Sequence, residues 1–128
     1  MIIACTAPGS RQIVASNGRF SLAADTMPPK GSGDGFRPHE LLEAALASCM
    51  ALTARQVADD RGLPLESIEV NVSLDRTKDE TPVFRTNVTL TGPLADEDRA
   101  LLLAALKRCP VRKTLAKTLV FDEVDAEQ

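Results

Sequence analysis

The order of predicted elements in this chain is strand, strand, strand, helix, strand, strand, helix, strand. That order specifies an α+β domain in which a mostly antiparallel sheet holds one long helix. Three observations carry the prediction. Alternating runs flank Asn17-Gly18. One helical segment, apolar in its first half, opens at Pro38 and runs without a breaker to Gly62. Two long alternating runs, Ser67 to Leu74 and Phe84 to Leu90, are separated by a polar turn.

The chain opens with strand material. Ile2 to Thr6 is short and apolar, and Gln12 to Ser16 and Arg19 to Ala24 flank Asn17-Gly18, a strong hairpin signal because both turn positions favour φ > 0. Thr26 to Arg37, "TMPPKGSGDGFR", is rich in Pro and Gly and reads as a long, flexible connection. Its "GSGDG" lacks a preceding strand, the GxGxxG spacing and a Walker Lys, so a phosphate site is not expected there.

Pro38 suits the first turn of a helix, Glu40 sits favourably near its N-terminus, and Gly62 with Pro64 stops it after about Asp60. The first half of this helix, Leu41 to Ala54, is apolar or small on nearly every face. A helix apolar all round is buried all round. In so small a domain, one way to bury it is to cover one side with the chain's own sheet and the other with a second subunit. Ile68, Val70, Val72 and Leu74 share one face of the next strand, and Phe84, Thr86, Val88 and Leu90 repeat the pattern after Asp79 to Pro82. A second helix is expected from about Ala95 to Arg108. A short one follows from Pro110 to about Lys117, and a last strand spans Leu119 to Val124.

Composition bounds the function. The 128 residues suit a single domain, 1–128, and 44 % hydrophobic content is enough for a core. Aromatics are 3 %, with no Trp or Tyr, and the net charge is −3. Neither base stacking nor a basic footprint is on offer, so no nucleic-acid partner is expected. "MIIACTAPGS" has no secretory character, and Leu41 to Ala54 is too short to span a bilayer, so the expectation is a soluble, cytoplasmic protein without a membrane partner. One His and no CxxC give no metal site.

Chemistry then rests on three cysteines, an odd number that argues against a disulfide framework. Cys109 precedes Pro110 at a predicted helix start, beside Arg108, Arg112 and Lys113, features that favour a thiolate. Cys49 lies mid-helix among Ala, Leu and Met, which disfavours one unless a cation arrives from elsewhere in the fold. Both are equally at home as small buried hydrophobes, and that reading stays open. Cys5, in a strand with no supporting feature, is structural. The basic residues of 107–117 read as a solvated helix face that complements the dipole.

Two blocks then carry a resemblance. "NGRFSLAADTMPPKGSGDGFRPHELLEAALASCM", continued to "GLPLE", and "KRCPVRKTL" together resemble the OsmC/Ohr family of thiol-dependent peroxidases over nearly the whole chain. The resemblance implies an OsmC-like fold, an intertwined homodimer with central helices and active sites at the subunit interface, and no cofactor. Cys49 matches the peroxidatic cysteine and Cys109 the resolving one. An organic hydroperoxide is the implied substrate and an external thiol or dithiol the reductant. Family members place an Arg and a Glu around the peroxidatic thiol. Here the residue after the helix-opening Pro38 is His39, with Glu40 one place later. Arg19 is the first candidate for the Arg, then Arg11 and Arg37. Arg112 stands where a His is frequent. The alternatives are a non-enzymatic dimer binding a small apolar ligand, or a thiol redox sensor.

Overall fold

Three strands, β1 (Ile3–Thr6), β2 (Ile13–Ser16) and β3 (Ser21–Ala24), form an antiparallel meander in the order β1-β2-β3. The structure is a computed structural model, and residues 1–124 are described. Pairing runs from Ile3 with Ser16 to Thr6 with Ile13, and from Ile13 with Ala24 to Ser16 with Ser21. The turn differs from the two-residue one expected. It spans residues 17–20, and only Gly18 has positive φ, at 91°. Asn17 closes the turn with its side chain, its Oδ1 accepting the amides of Arg19 (2.9 Å) and Phe20 (2.8 Å). The side chain replaces a second left-handed residue, so β3 starts at Ser21 rather than Arg19.

The Gly/Pro-rich connection is organised by the residue just before it. Asp25 is buried, and its carboxylate accepts the amides of Thr26 (2.7 Å), Ser32 (3.3 Å) and Asp34 (3.2 Å). Arg11 donates to the carbonyls of Pro29 and Lys30, and Gln12 donates to that of Asp34. A connection expected to be loose is thus tied at several points, and its amides face the chain's own acid. Phe36 then forms a parallel bridge with Ala24.

Helix α1 (Pro38–Arg61) is entered through Arg37. Glu40, three residues on, accepts the Arg37 amide at 3.1 Å, half of a capping box, and also the Arg37 guanidinium at 2.7 Å. At the other end the Gly62 amide bonds the Asp59 carbonyl (3.3 Å) and the Leu63 amide bonds Ala58 (2.8 Å), with Gly62 at φ 64°. Those two bonds define a Schellman ending. Within the chain α1 buries a single stripe, Leu46, Met50, Ala54 and Ala58. Leu52 on another face is 69 % exposed, so the all-round burial expected of this helix is not reached by one chain. By length and composition α1 as a whole is also long and apolar enough to cross a membrane, which the stretch 41–54 alone is not.

Strands β4 (Ser67–Asp75) and β5 (Val83–Thr91) pair as a second sheet, joined by a short turn. Ile68, Val70, Val72 and Leu74 alternate with exposed neighbours as the sequence pattern requires. Helix α2 (Asp96–Leu106) opens with Asp96, Glu97 and Asp98, carboxylates that complement its dipole in the absence of a side-chain cap. Helix α3 (Pro110–Leu115) follows.

The chain groups into two compact units. One comprises Met1–Ala45 and Val72–Thr86, the other Leu46–Asn71 and the chain from Asn87 onward. The second unit holds the main core: Ala58, Leu65, Leu90 and Leu102, flanked by Val57, Leu63, Ile68, Val88 and Leu94. Gly92, at φ 137°, lies against the Pro64 carbonyl with no room for a Cβ. Residues 119–124 correct the last expected strand: they form no strand. A strand requires a partner's ladder, and no described strand of this chain pairs with them. Leu119, Val120, Phe121 and Val124 are accordingly exposed.

Candidate functional site

Cys49 sits on α1 one residue before buried Met50 and is itself half-buried. Its carbonyl accepts the Thr53 hydroxyl at 2.8 Å, one turn on. Cys109 reaches the same place from the other end of the unit. The chain leaves α2 through Lys107 and Arg108, with the Cys109 amide bonded to the Leu106 carbonyl at 3.3 Å. Cys109 then occupies the N-cap of α3 in extended conformation (φ −61°, ψ 144°), with Pro110 at the first helical position. Proline fits there because its missing N–H is one that helix geometry leaves unpaired.

A cysteine is a poor N-cap, and Cys109 makes no capping hydrogen bond. The vacant acceptor position is filled from α1: the Val111 amide donates to Cys49 Sγ at 3.5 Å. A part-buried amide of the first turn of α3 is thereby matched to a sulfur. The two thiols are free, and the Cys49 sulfur lies near enough to influence the Cys109 thiol. Cys109 is fully buried, and burial is the first of the influences that push its pKa up. The Arg112 amide acts against it, the neighbouring Cys49 sulfur raises it further, and the Arg112 charge lowers it again. The net direction is upward, which favours the neutral thiol at Cys109.

The other site residues named from sequence belong to the first unit. Arg19 is exposed and lies over the Phe20 ring at 5.3 Å. Arg37 and Glu40 form a 2.7 Å ion pair that raises the pKa of Arg37 and lowers that of Glu40, in both cases mainly through their side-chain hydrogen bond. His39 is exposed at the start of α1. Arg11 is committed to loop carbonyls. Cys5 is exposed on β1. Among described residues no cluster of His, Cys, Asp or Glu suits a metal ion.

Sequence reasoning missed Val111 and Asp25. Val111 was accessible in principle, since Pro110 at the first helical position implies unpaired amides just after it. Asp25 carries the sequence signal of an acid immediately before a Gly/Pro-rich run.

The fold and this pair of thiols define a class: a small α+β protein that brings two cysteines from separate helices to one helix start. The chain belongs to the OsmC-like protein family, whose model matches residues 31–123. No curated protein sequence matches it. Among solved structures, the OsmC-like protein of Mycoplasma pneumoniae is similar at 23 % identity, covering 90 % of this chain and 85 % of its own, with a TM-score of 0.75. The organic hydroperoxide resistance protein OsmC of Legionella pneumophila is similar at 23 % identity, covering 91 % and 89 %, TM-score 0.63. The organic hydroperoxide resistance protein OhrB of Bacillus subtilis is similar at 23 % identity, covering 91 % and 89 %, TM-score 0.57. At these identities the likeness is one of fold.

Proposed function

We propose that this protein reduces organic hydroperoxides through Cys49 and Cys109, acting as a cytoplasmic homodimer reset by an external thiol or dithiol. The observation that carries the reading is the placement of Cys49 sulfur against both the Val111 amide and the Cys109 thiol. Cys49 attacks the peroxide as its thiolate. The O–O bond breaks, an alcohol leaves with a proton, and Cys49 becomes a sulfenic acid. The Val111 amide donates to the attacking sulfur, and the neutral Cys109 thiol stands near it. Cys109 then displaces the sulfenic hydroxyl, which leaves as water with the Cys109 proton, and a disulfide forms. A dithiol supplies the two electrons that restore both thiols. No bound cofactor enters these steps.

Three further features support the reading. Two neighbours in fold are named as organic hydroperoxide resistance proteins. The exposed apolar residues Leu42 and Leu52 on α1 suit coverage by a second copy. Three free cysteines suit a reducing compartment. Arg19 is the first candidate, by its place in "NGRF", for the cation that assists Cys49; Arg11 is second, and Arg37, already held by a carboxylate, is a further candidate.

The test is steady-state consumption of cumene hydroperoxide with dithiothreitol. Turnover that Cys49→Ser abolishes supports the enzyme. One stoichiometric oxidation without turnover points to a redox sensor, and no oxidation at all to a ligand-binding dimer. Alkylation rates of Arg19→Ala and Arg37→Ala near neutral pH identify the assisting arginine as the one whose loss slows modification of Cys49.

A further inference from the structure

Five of the chain's 15 Lys and Arg residues, Lys107, Arg108, Arg112, Lys113 and Lys117, crowd into residues 107–117 with no acid among them, although the whole chain carries −3. All five are exposed. The ion pairs among the described residues are Arg37–Glu40, Arg55–Asp59 and Arg85–Asp75, so none of the five is neutralised there. Helix dipoles account for part of the arrangement. Arg112 and Lys113 lie in the last turn of α3, and Lys107 caps α2. A six-residue helix has little dipole to complement, however, and like charges packed this closely repel one another.

The ridge is built around the thiol pair. Lys107 and Arg108 form the turn that delivers Cys109, and Arg112 follows it by one helical turn, near enough for its charge to act on the Cys109 thiol. Cys49 is half-buried while Cys109 is fully buried, so Cys49 is the more exposed of the two cysteines within one chain.

We propose that the Lys107–Lys117 ridge is the docking surface for an acidic protein dithiol that reduces the Cys49–Cys109 disulfide, a proposal that rests on the peroxidase reading above. One thiolate of the partner attacks Cys49 Sγ, forming a mixed disulfide and expelling Cys109 as a thiolate beside Arg112. Cys109 takes up a proton. The partner's second thiol, on losing its proton, attacks the mixed disulfide and releases Cys49, leaving the partner oxidised. Two electrons pass from the partner's dithiol to the protein, and the partner's acidic surface answers the ridge during encounter.

The experiment uses full-length protein oxidised with one equivalent of cumene hydroperoxide, its Cys49–Cys109 link verified by peptide mapping. Synthetic Cys-Gly-Pro-Cys peptides flanked by Glu, Gln or Lys residues then serve as reductants. The expected result is reduction by the Glu peptide roughly tenfold faster than by the Lys peptide at low salt. The gap should close by about 0.5 M NaCl, where screening is nearly complete. Combined Lys107→Glu, Lys113→Glu and Lys117→Glu substitutions should bring the Glu-to-Lys rate ratio to about one or below. Equal rates for the three peptides, or a ratio that the substitutions leave unchanged, overturn the docking surface and leave the peroxidase reading standing. Failure of the disulfide to form overturns both.

Discussion

The amide of Val111 reaches back 62 residues to the sulfur of Cys49, a 3.5 Å contact that ties the start of α3 to the middle of α1. Neither residue advertises it. Val111 contributes only its backbone, and its amide is available because the residue at the cap is a cysteine that does not bond it. The sulfur that the site offers to chemistry is thus also an acceptor for the fold.

That double role separates two substitutions. Cys49→Ser keeps an acceptor on α1, whereas Cys49→Ala leaves the amide without one. Cys49→Ala should be less stable than Cys49→Ser by about 1 kcal/mol, the usual cost of a lost cap. Urea denaturation of both variants measures the difference. Equal midpoints would mean that the Val111 contact carries no stability.

Oxidation should divide the cysteines by role. In Cys109→Ser, one equivalent of hydroperoxide should leave Cys49 as a sulfenic acid trappable with dimedone, and excess should drive it to the sulfinic acid. In the wild type the same treatment should yield the Cys49–Cys109 link with Cys5 still alkylatable. Mass spectrometry of the peptides decides, and a link involving Cys5 would reassign the pair.

The core places its weight on Leu102, which is fully buried against Ala58, Leu65 and Leu90. Leu102→Ala should cost about 2–5 kcal/mol, transfer and cavity terms together. Denaturant titration at constant m-value would establish the loss. A cost under 1 kcal/mol would mean that the neighbours collapse into the space.

Acid should loosen the first unit. Amide hydrogen bonds from Thr26 and Asp34, the leading causes, hold the pKa of Asp25 below its ordinary 3.8, and the Arg37 side chain holds that of Glu40 below 4.5. A carboxylate with a depressed folded pKa adds stability above its unfolded value and loses it as pH falls through the folded one. Thermal midpoints should therefore fall as pH drops from about 5 toward 3. Asp25→Asn and Glu40→Gln should start lower at pH 7 and fall less steeply. Parallel curves for wild type and both variants would show that these acids do not set the acid limb.

Assembly is testable at Leu52, which is 69 % exposed on the long helix. Sedimentation equilibrium should give a dimer. Leu52→Asp should shift the mass toward the monomer with helix content retained, because the side chain makes no buried contact within one chain. A wild-type monomer at low micromolar concentration would remove the dimer from the proposal.

Periodicity made most of the elements legible. Pro38 and Gly62 bracket α1 to within a residue or two, and the alternation of Ile68, Val70, Val72 and Leu74 fixes the face of β4. Those signals are local, and local signals survive reading along the chain. What failed was non-local or depended on side-chain detail. Residues 119–124 carry strand composition but pair with none of the described strands, and composition cannot report a missing neighbour. The Asn17 turn was misjudged because an amide oxygen took over the work of backbone geometry. At the site, the two cysteines were visible as candidates, and the likeness of two motifs suggested pairing them. The contact between them is long-range, and so is the choice among Arg11, Arg19 and Arg37, which sequence order alone does not rank by partner.

The three amide bonds to Asp25 come from Thr26, Ser32 and Asp34, residues scattered over most of the connection between β3 and α1. A loop gathered onto one acceptor cannot come apart a bond at a time, since losing the carboxylate's position releases every donor together. Hydrogen exchange across residues 26–36 should consequently report one shared opening free energy, making this stretch a small cooperative unit of its own, able to open while the core around Leu102 stays closed.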